Sequence, residues 1–134
     1  MKTTVTPFLM FTGRAEEALR WYVSVLPGSS IESLTHHGAD GMGEEGKVLQ
    51  AVAVLAGQRV RFFDSAPVHD FGFTPAISLF VDCADDAEID RLAAALGEGG
   101  QALMPLGAYG FSRKYAWLND RFGVSWQLNL PFAS

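Results

Sequence analysis

The residues best suited to take part in a chemical reaction lie at the centre of the chain. Asp64, Ser65, His69 and Asp70 stand there among phenylalanine and proline residues, between two apolar runs. An imidazole can accept and donate a proton at neutral pH, and a carboxylate can orient it for that task. This grouping predicts His69 as a candidate general acid or base, with Asp64 as its orienting partner. The alternative is structural: Asp64 and Ser65 accept hydrogen bonds from the loop backbone, and His69 is a surface or subunit-contact residue.

A second group of polar residues lies near the end of the chain. From residue 124 to residue 130 every second side chain is large and apolar, and the side chains between them are polar and uncharged. The polar ones are Ser125, Gln127 and Asn129. A period of two indicates a β-strand whose apolar face packs on a helix. The polar face then either meets solvent or lines a pocket in which neutral donors and acceptors orient a ligand.

Earlier runs add side chains to the same predicted inner surface. Superposing the closing strands of the two halves, and reading the alternation of the run at 76–81, gives the further wall residues Arg61, Phe63, Ser65, Ser78, Phe80 and Leu9. Aromatic walls with a few neutral polar groups are typical of small-molecule pockets. The candidate ligand-binding residues are Phe63, Ser65, Ser78, Phe80, Tyr109, Ser125, Gln127 and Asn129.

The elements that must position these side chains occur twice in the same order. Each half is predicted as a strand, a helix and three more strands, from apolar runs, helical spacing and turn residues. The predicted strands are 6–11, 31–34, 48–55, 59–64, 76–81, 102–106, 114–118 and 124–130, and the helices are 15–26 and 85–96, the second capped by Asp85. The prediction is an α+β fold in which tandem βαβββ modules form a cupped mixed sheet. The modules, at about 1–66 and 74–134 and joined by 67–73, make a single domain of residues 1–134.

Composition and charge narrow the classes of function. The chain has 134 residues, of which 49% are hydrophobic and 19% charged, as is typical of a folded domain. Ten basic residues against fifteen acidic ones give a net charge of -5, so we expect no nucleic-acid partner. The single cysteine, Cys83, excludes an internal disulfide, is predicted to be buried, and favours a reducing, cytoplasmic setting. We expect no signal peptide and no membrane-spanning run.

Seven short segments, spread over nearly the whole chain, carry a family resemblance. They are TPFLMF at 6–11, AEEA at 15–18, FDS at 63–65 with His69, FTPA at 73–76, MPL at 104–106, YGFS at 109–112 and DRFGVSWQL at 120–128. With them the chain resembles the vicinal oxygen chelate superfamily, which includes glyoxalase I, bleomycin-resistance proteins and extradiol dioxygenases. Within it the chain looks like the PhnB-like group, also catalogued under a 3-demethylubiquinone-9 3-methyltransferase label. The resemblance implies a glyoxalase/bleomycin-resistance-like fold, a small-molecule ligand and a homodimer.

The resemblance also bears on metal binding. Superfamily enzymes bind a divalent metal with one ligand from each of four strands. Carried over to this chain, those positions fall on Pro7, Phe63 (or Arg61), Ala76 and Gln127. Only Gln127 offers a ligand oxygen, and one neutral amide is a poor site for a transition metal, so we expect no metal at this position and no cofactor. A displaced site stays open as an alternative, built from Asp64, His69 and His36 or His37.

Two classes of function fit these residues. The first is a small-molecule-binding protein without the usual metal, which the polar row favours. The second is a metal-independent enzyme on a small apolar or aromatic substrate, with His69 as acid or base and an anion held by Tyr109, Ser112 and Arg113. A third alternative is a cup filled by its own side chains. Methyl transfer from S-adenosylmethionine is not expected, because the chain has no glycine-rich turn that opens a helix and no alternating βα order.

Overall fold

Eight strands and two helices account for most of residues 1–132, the part of the chain that the structure, a computed structural model, describes. The strands are β1 (Phe8–Phe11), β2 (Ser30–His36), β3 (Val48–Leu55), β4 (Gln58–Asp64), β5 (Leu79–Asp82), β6 (Gln101–Tyr109), β7 (Ser112–Asn119) and β8 (Ser125–Leu130), and the helices are α1 (Ala15–Val25) and α2 (Asp86–Gly97). Neither helix is long and apolar enough to cross a membrane. The chain divides into two units, Met1–Asp70 and a second that begins at Phe71.

The first unit is a four-stranded mixed sheet with α1 packed on one face. The strand order is β1-β4-β3-β2, in which β1 runs parallel to β4 and the other neighbours are antiparallel. The helix buries Ala15, Ala18, Leu19 and Tyr22, which recur at helical spacing. The ring of Tyr22 lies 6.1 Å from that of Phe62, which is 1% exposed. The side of β4 that carries Phe62 therefore faces the helix.

The second unit repeats this arrangement. Its strand order is β5-β8-β7-β6, with β5 parallel to β8. The predicted N-cap of the second helix is confirmed, since the backbone N–H of Glu88 donates to Asp85 Oδ1 at 2.8 Å. The predicted apolar stripe is also confirmed, because Ile89, Leu92 and Leu96 are fully buried. The α+β class and the βαβββ order of both halves follow as predicted.

Strand bounds differ from prediction mainly in the second unit. β5 begins at Leu79 rather than at residue 76, because Pro75 starts a turn that delays the strand. β6 continues through Pro105 to Tyr109, with three register irregularities against β7. A proline lacks the N–H that a ladder needs, and bulges accommodate it. Tyr109 and Ser112, predicted in a loop, therefore end β6 and begin β7.

The prediction that Leu9 faces the open side of the first sheet is wrong. In the parallel pairing of β1 with β4, Leu9 stands opposite Phe62 and shares its helix-facing side. Phe8 stands opposite Arg61 instead and takes the open side. Successive side chains point to opposite faces, so a shift of one residue exchanges the two sets.

Candidate functional site

The side of the second sheet that faces away from α2 carries most of the predicted polar row. Lys114 pairs in register with Leu130, and its Nζ lies 2.6 Å from Asp90 Oδ1 of α2, so this row faces the helix. The alternate residues of β7 and β8 point the other way. Two of them on each strand, together with one residue that precedes β5, form a hydrogen-bonded network. We call this network the polar face; it consists of Ser78, Tyr115, Trp117, Ser125 and Gln127.

Every hydrogen bond of the polar face joins neutral groups. The Tyr115 hydroxyl donates to Gln127 Oε1 at 2.5 Å, and Gln127 Nε2 donates to Ser78 Oγ at 3.3 Å. Ser78 Oγ lies 2.7 Å from Ser125 Oγ, which accepts from Trp117 Nε1 at 3.0 Å. The bonds connect β7, β8 and the residue before β5 into one chain of donors and acceptors. Such a chain holds each side chain in a defined orientation.

Counting protons shows which donors are left for a ligand. An indole N–H can only donate, so Ser125 accepts the Trp117 bond. One hydroxyl proton bridges Ser78 and Ser125. Because Ser125 is only 2% exposed, its own proton must be hydrogen-bonded, and Ser78 is the acceptor in reach. The Ser78 hydroxyl proton and the second amide proton of Gln127 are then left to donate to a bound acceptor atom.

Tyr115 fixes the donor-to-acceptor direction of the hydrogen bonds in this network. Burial, and then the neighbouring Tyr109, raise the pKa of the Tyr115 phenol. The phenol therefore stays protonated at neutral pH and donates to Gln127, which turns the Gln127 amide nitrogen toward Ser78. The Tyr115 ring is held edge-on by Phe111, with ring centroids 4.8 Å apart, and by Tyr109 at 5.8 Å.

Exposed phenyl rings accompany the polar face. Phe80 is the register partner of Gln127 across β5 and β8, and 57% of its surface is exposed. Phe111, beside Tyr115, is 63% exposed. Large exposed aromatic residues next to oriented neutral donors are typical of a binding surface. This arrangement can hold a neutral molecule that has an apolar body and an oxygen acceptor.

The predicted ligand-binding residues divide into three groups. Ser78, Ser125 and Gln127 belong to the polar face, with Phe80 and Tyr109 beside it. In Asn129 both polar atoms of the side-chain amide already have hydrogen-bond partners. Its Nδ2 donates to Asp82 at 2.8 Å, and its Oδ1 lies 2.5 Å from Ser112 Oγ. Phe63 and Ser65 belong to the first unit, where the Ser65 hydroxyl donates to the carbonyl of Ala66 at 2.8 Å.

Two members of the polar face, Tyr115 and Trp117, were not predicted from the sequence. Their large rings resemble ordinary core residues. The signal that could have found them is the alternation along β7, where Tyr115 and Trp117 pair in register with Asn129 and Gln127. A residue opposite a polar partner lies on the same face of the sheet.

Asp64 is a buried structural acceptor. Its Oδ1 accepts from the backbone N–H groups of Gly13, at 2.7 Å, and Ala15, at 3.0 Å, and its Oδ2 accepts from Val48 at 2.9 Å. Arg14 occupies the N-cap position of α1 without a side-chain cap bond, so Asp64 satisfies the helix start from β4. The predicted pairing with His69 is not among the hydrogen bonds of Asp64, and His69 is exposed. The geometry therefore supports a structural role for this carboxylate.

The other histidines have partners near α1 and β4. His37 is 5% exposed, its Nε2 lies 3.1 Å from the carbonyl oxygen of Asp64, and its Nδ1 lacks a partner within the described residues. His36 Nε2 lies 2.7 Å from Glu16, and this bond, followed by that of Arg20, lowers the pKa of Glu16. Within residues 1–132, no group of three or more histidine, cysteine or acidic side chains is arranged to hold a metal ion.

The residues predicted to hold an anion are also engaged. The Tyr109 hydroxyl donates to the carbonyl of Pro105 at 2.7 Å, and Arg113 pairs with Asp86 at 2.9 Å. Ser112 is 1% exposed and donates inside its own unit. These three side chains do not converge on an open position.

We expect Cys83 to be unreactive in the folded protein. Cys83 is 4% exposed, and burial, followed by the charge of Glu88, raises the pKa of its thiol to about 11. Since only the thiolate is nucleophilic, alkylation by iodoacetamide at pH 8 should be roughly 100-fold slower than in guanidinium chloride. Mass spectrometry of timed samples measures both rates. Equal rates would contradict the buried environment.

Comparison with known proteins places the chain in a family. A sequence model described as 3-demethylubiquinone-9 3-methyltransferase matches residues 3–129. The chain belongs to that family. A PhnB protein from Bacillus cereus, whose own methyltransferase designation is provisional, is 48% identical over 96% of this chain and 99% of that one, with a TM-score of 0.92. The predicted PhnB-like resemblance is confirmed.

More distant structures share the fold of the family. A Pseudomonas aeruginosa protein is 28% identical over 97% of this chain and 98% of that one, with a TM-score of 0.84. The fosfomycin resistance protein FosX from Listeria monocytogenes, complexed with Mn(II) and sulfate, is 8% identical, with a TM-score of 0.60 over 98% of this chain and 92% of that one. The predicted glyoxalase/bleomycin-resistance-like fold is thereby confirmed. No functionally curated protein matches the chain significantly.

Proposed function

We propose that this PhnB-like protein binds a small neutral molecule on its polar face. The observation that carries the proposal is the oriented, uncharged network that leaves the Ser78 hydroxyl proton and one Gln127 amide proton for a ligand. A carbonyl or ether oxygen fits these donors. An apolar body of the ligand fits the exposed rings of Phe80 and Phe111.

The proposal includes no metal at the superfamily position. Of the four residues carried over to that position, Pro7, Phe63 and Ala76 have no side-chain donor atom. The fourth, Gln127, already accepts the Tyr115 hydroxyl through its Oε1. A metal would have to displace that bond and would gain one neutral ligand, which does not suit a transition metal.

The proposal also includes no S-adenosylmethionine, despite the family description. A Rossmann-type methyltransferase holds that cofactor at the edge of an alternating α/β sheet, on a glycine-rich turn that opens a helix. In residues 1–132, each helix is followed by three strands of a mixed sheet. The turn before α1 is engaged with Asp64, and α2 is capped by Asp85.

The test is a two-dimensional ¹H–¹⁵N NMR titration with neutral carbonyl fragments, among them benzamide and acetophenone. The indole N–H of Trp117 reports on the polar face, and that of Trp126, bonded to Asp120 Oδ2 at 2.8 Å, is the internal control. We expect fragments to shift the Trp117 signal and leave the Trp126 signal in place. Gln127→Leu should weaken binding about fivefold, since a lost hydrogen bond is worth roughly 1 kcal/mol.

His69→Ala is the matched variant for this titration. His69 lies outside the polar face, so its removal should leave fragment affinity unchanged. Equal losses in the Gln127 and His69 variants, or shifts that spare Trp117 in every titration, would contradict the proposal.

We also propose that the protein pairs as a homodimer. Val68, Phe71 and Ile77 are 76%, 65% and 75% exposed, which is unusual for large apolar side chains and is compatible with an apolar interface. Light scattering coupled to size-exclusion chromatography measures the mass in solution. A monomer at micromolar concentration would contradict this proposal.

A further inference from the structure

The open side of the first sheet carries an arginine between apolar residues. On β4, Arg61 alternates with the helix-facing Phe62 and so points away from α1. Its register partners are Phe8 on β1 and Val52 on β3. Phe63, two residues further along β4, lies on the same side. Arg61 therefore stands on an inner strand with apolar neighbours on both sides.

Arg61 differs from four other arginines of the chain, which are paired with carboxylates. Within residues 1–132, Arg14, Arg20, Arg59 and Arg113 each contact a carboxylate at 3.0 Å or less, whereas the Arg61 side chain makes no hydrogen bond, ion pair or ring contact. The contrast with its neighbour is sharp, because Arg59 holds both oxygens of Glu32 at 2.7 and 2.6 Å. The chain has five more acidic than basic residues, yet none of these carboxylates reaches Arg61. Its guanidinium fork is free to bind an external anion.

Two phenylalanines lie on the same side of the sheet as Arg61, namely its register partner Phe8 and Phe63, two residues further along β4. Phe8 is 57% exposed, and its ring centroid is 5.9 Å from that of Phe63, with an angle of 35° between the rings. Phe63 also makes a T-shaped contact with the ring of His37, with centroids 5.8 Å apart. The two rings therefore form an apolar surface on the side of the sheet that carries Arg61. An aryl group can stack on such a surface while its anionic substituent meets the guanidinium.

We propose that the open side of the first sheet is a binding site for a small aromatic carboxylate. The carboxylate accepts two N–H bonds from Arg61, and the ring of the ligand packs on Phe8 and Phe63. An exposed ion pair alone contributes little, so the site requires both parts of the ligand. The residues of this site belong to the first unit and those of the polar face to the second, and this proposal does not depend on the neutral ligand proposed for the polar face.

Benzoate is the probe for this site, with acetate and benzyl alcohol as the two half-ligands. In a ¹H–¹⁵N NMR titration, benzoate should shift the backbone amides of Phe8, Arg61 and Phe63. Each half-ligand should bind at least tenfold more weakly than benzoate. If acetate shifts these amides as strongly as benzoate, the site is a general surface cation and the proposal fails.

Four variants decide which residues carry the binding. Arg61→Met should weaken benzoate binding at least tenfold, Arg61→Lys should retain part of it, and Phe8→Ala should weaken it about fivefold. Arg113→Met is the matched control, because it removes a paired arginine in the other unit and should change nothing. Arg61 is exposed, so its variants should keep the thermal unfolding midpoint of the parent. Unchanged benzoate affinity in a folded Arg61→Met protein overturns the proposal.

The two binding proposals can fail separately. Gln127→Leu should leave benzoate affinity unchanged, and Arg61→Met should leave the Trp117 response to benzamide unchanged. Loss of benzoate binding in Gln127→Leu would show that benzoate occupies the polar face, and the carboxylate site on the first sheet would then be rejected.

Discussion

Replacing Asp64 with alanine is expected to lower the free energy of unfolding by about 4 kcal/mol. The change leaves three backbone N–H groups without an acceptor. In the parent protein these groups, of Gly13, Ala15 and Val48, donate to the carboxylate over 2.7 to 3.0 Å. Asp64 is 2% exposed, so water cannot readily replace it, and each buried unsatisfied donor costs roughly 1–3 kcal/mol. Single domains are stable by only about 5–15 kcal/mol, so this is a large share. Urea unfolding followed by circular dichroism measures it.

Asp70→Ala is the control for Asp64→Ala. Asp70 lies six residues further along and is exposed, so its replacement should stay within about 0.5 kcal/mol of the parent. Asp64→Asn keeps one acceptor oxygen and should lie between the two. If Asp64→Ala unfolds at the urea concentration of the parent, the carboxylate does not stabilise the start of α1. Asp64 would then again be a candidate partner for His69.

Asp120 should give the second large loss, about 3 kcal/mol on replacement with alanine. Its Oδ1 accepts from the backbone N–H groups of Phe122, at 2.8 Å, and Val124, at 3.1 Å, and its Oδ2 accepts from Trp126 Nε1 at 2.8 Å. The carboxylate is 3% exposed. It holds the turn that brings β8 alongside β7, because Gly123, with φ of 90°, reverses the chain between those donors.

A double-mutant cycle with Trp126→Phe tests this account. Phenylalanine keeps the ring in the core but removes the indole donor, so Asp120→Ala should cost about 1 kcal/mol less in the Trp126→Phe background. Chemical denaturation of the four proteins gives the coupling energy. Full additivity would show that the Trp126 bond contributes nothing to the role of Asp120.

The two aspartates show what a buried carboxylate does in this fold. Each of them accepts three N–H groups at a place where strands or a helix begin, and each is almost fully buried. A carboxylate with all its oxygens engaged in this way is poorly placed to orient a catalytic imidazole. We propose that the described residues act in recognition, through neutral donors in the second unit and through Arg61 in the first.

Features that depend on neighbouring residues were predictable from the sequence. The cap at Asp85 and the stripe of Ile89, Leu92 and Leu96 depend on spacing within one helix, and both are present. The alternation along β8 likewise predicted which of its side chains are polar and share a face. The βαβββ order of both halves follows from such local patterns, because helix and strand periods differ.

Features that depend on residues far apart were not predictable. The three donors to Asp64 lie 51, 49 and 16 residues away along the chain, so no local pattern distinguishes this carboxylate from a catalytic one. The same holds for Leu9, whose face is set by its register with Phe62 in β4. Tyr115 was missed because its hydroxyl meets Gln127 only across two paired strands.

The sequence by itself therefore determined the α+β class, the repeated order of elements and the uncharged polar row of β8. Only the tertiary structure showed that Asp64 accepts its hydrogen bonds at the start of α1 and that Tyr115 and Trp117 belong to the polar face. It also showed that Arg61 is unpaired among the described residues. The physical reason is the period of two in a strand. A pattern shows that two faces exist, but the register with the next strand decides which groups meet on each of them.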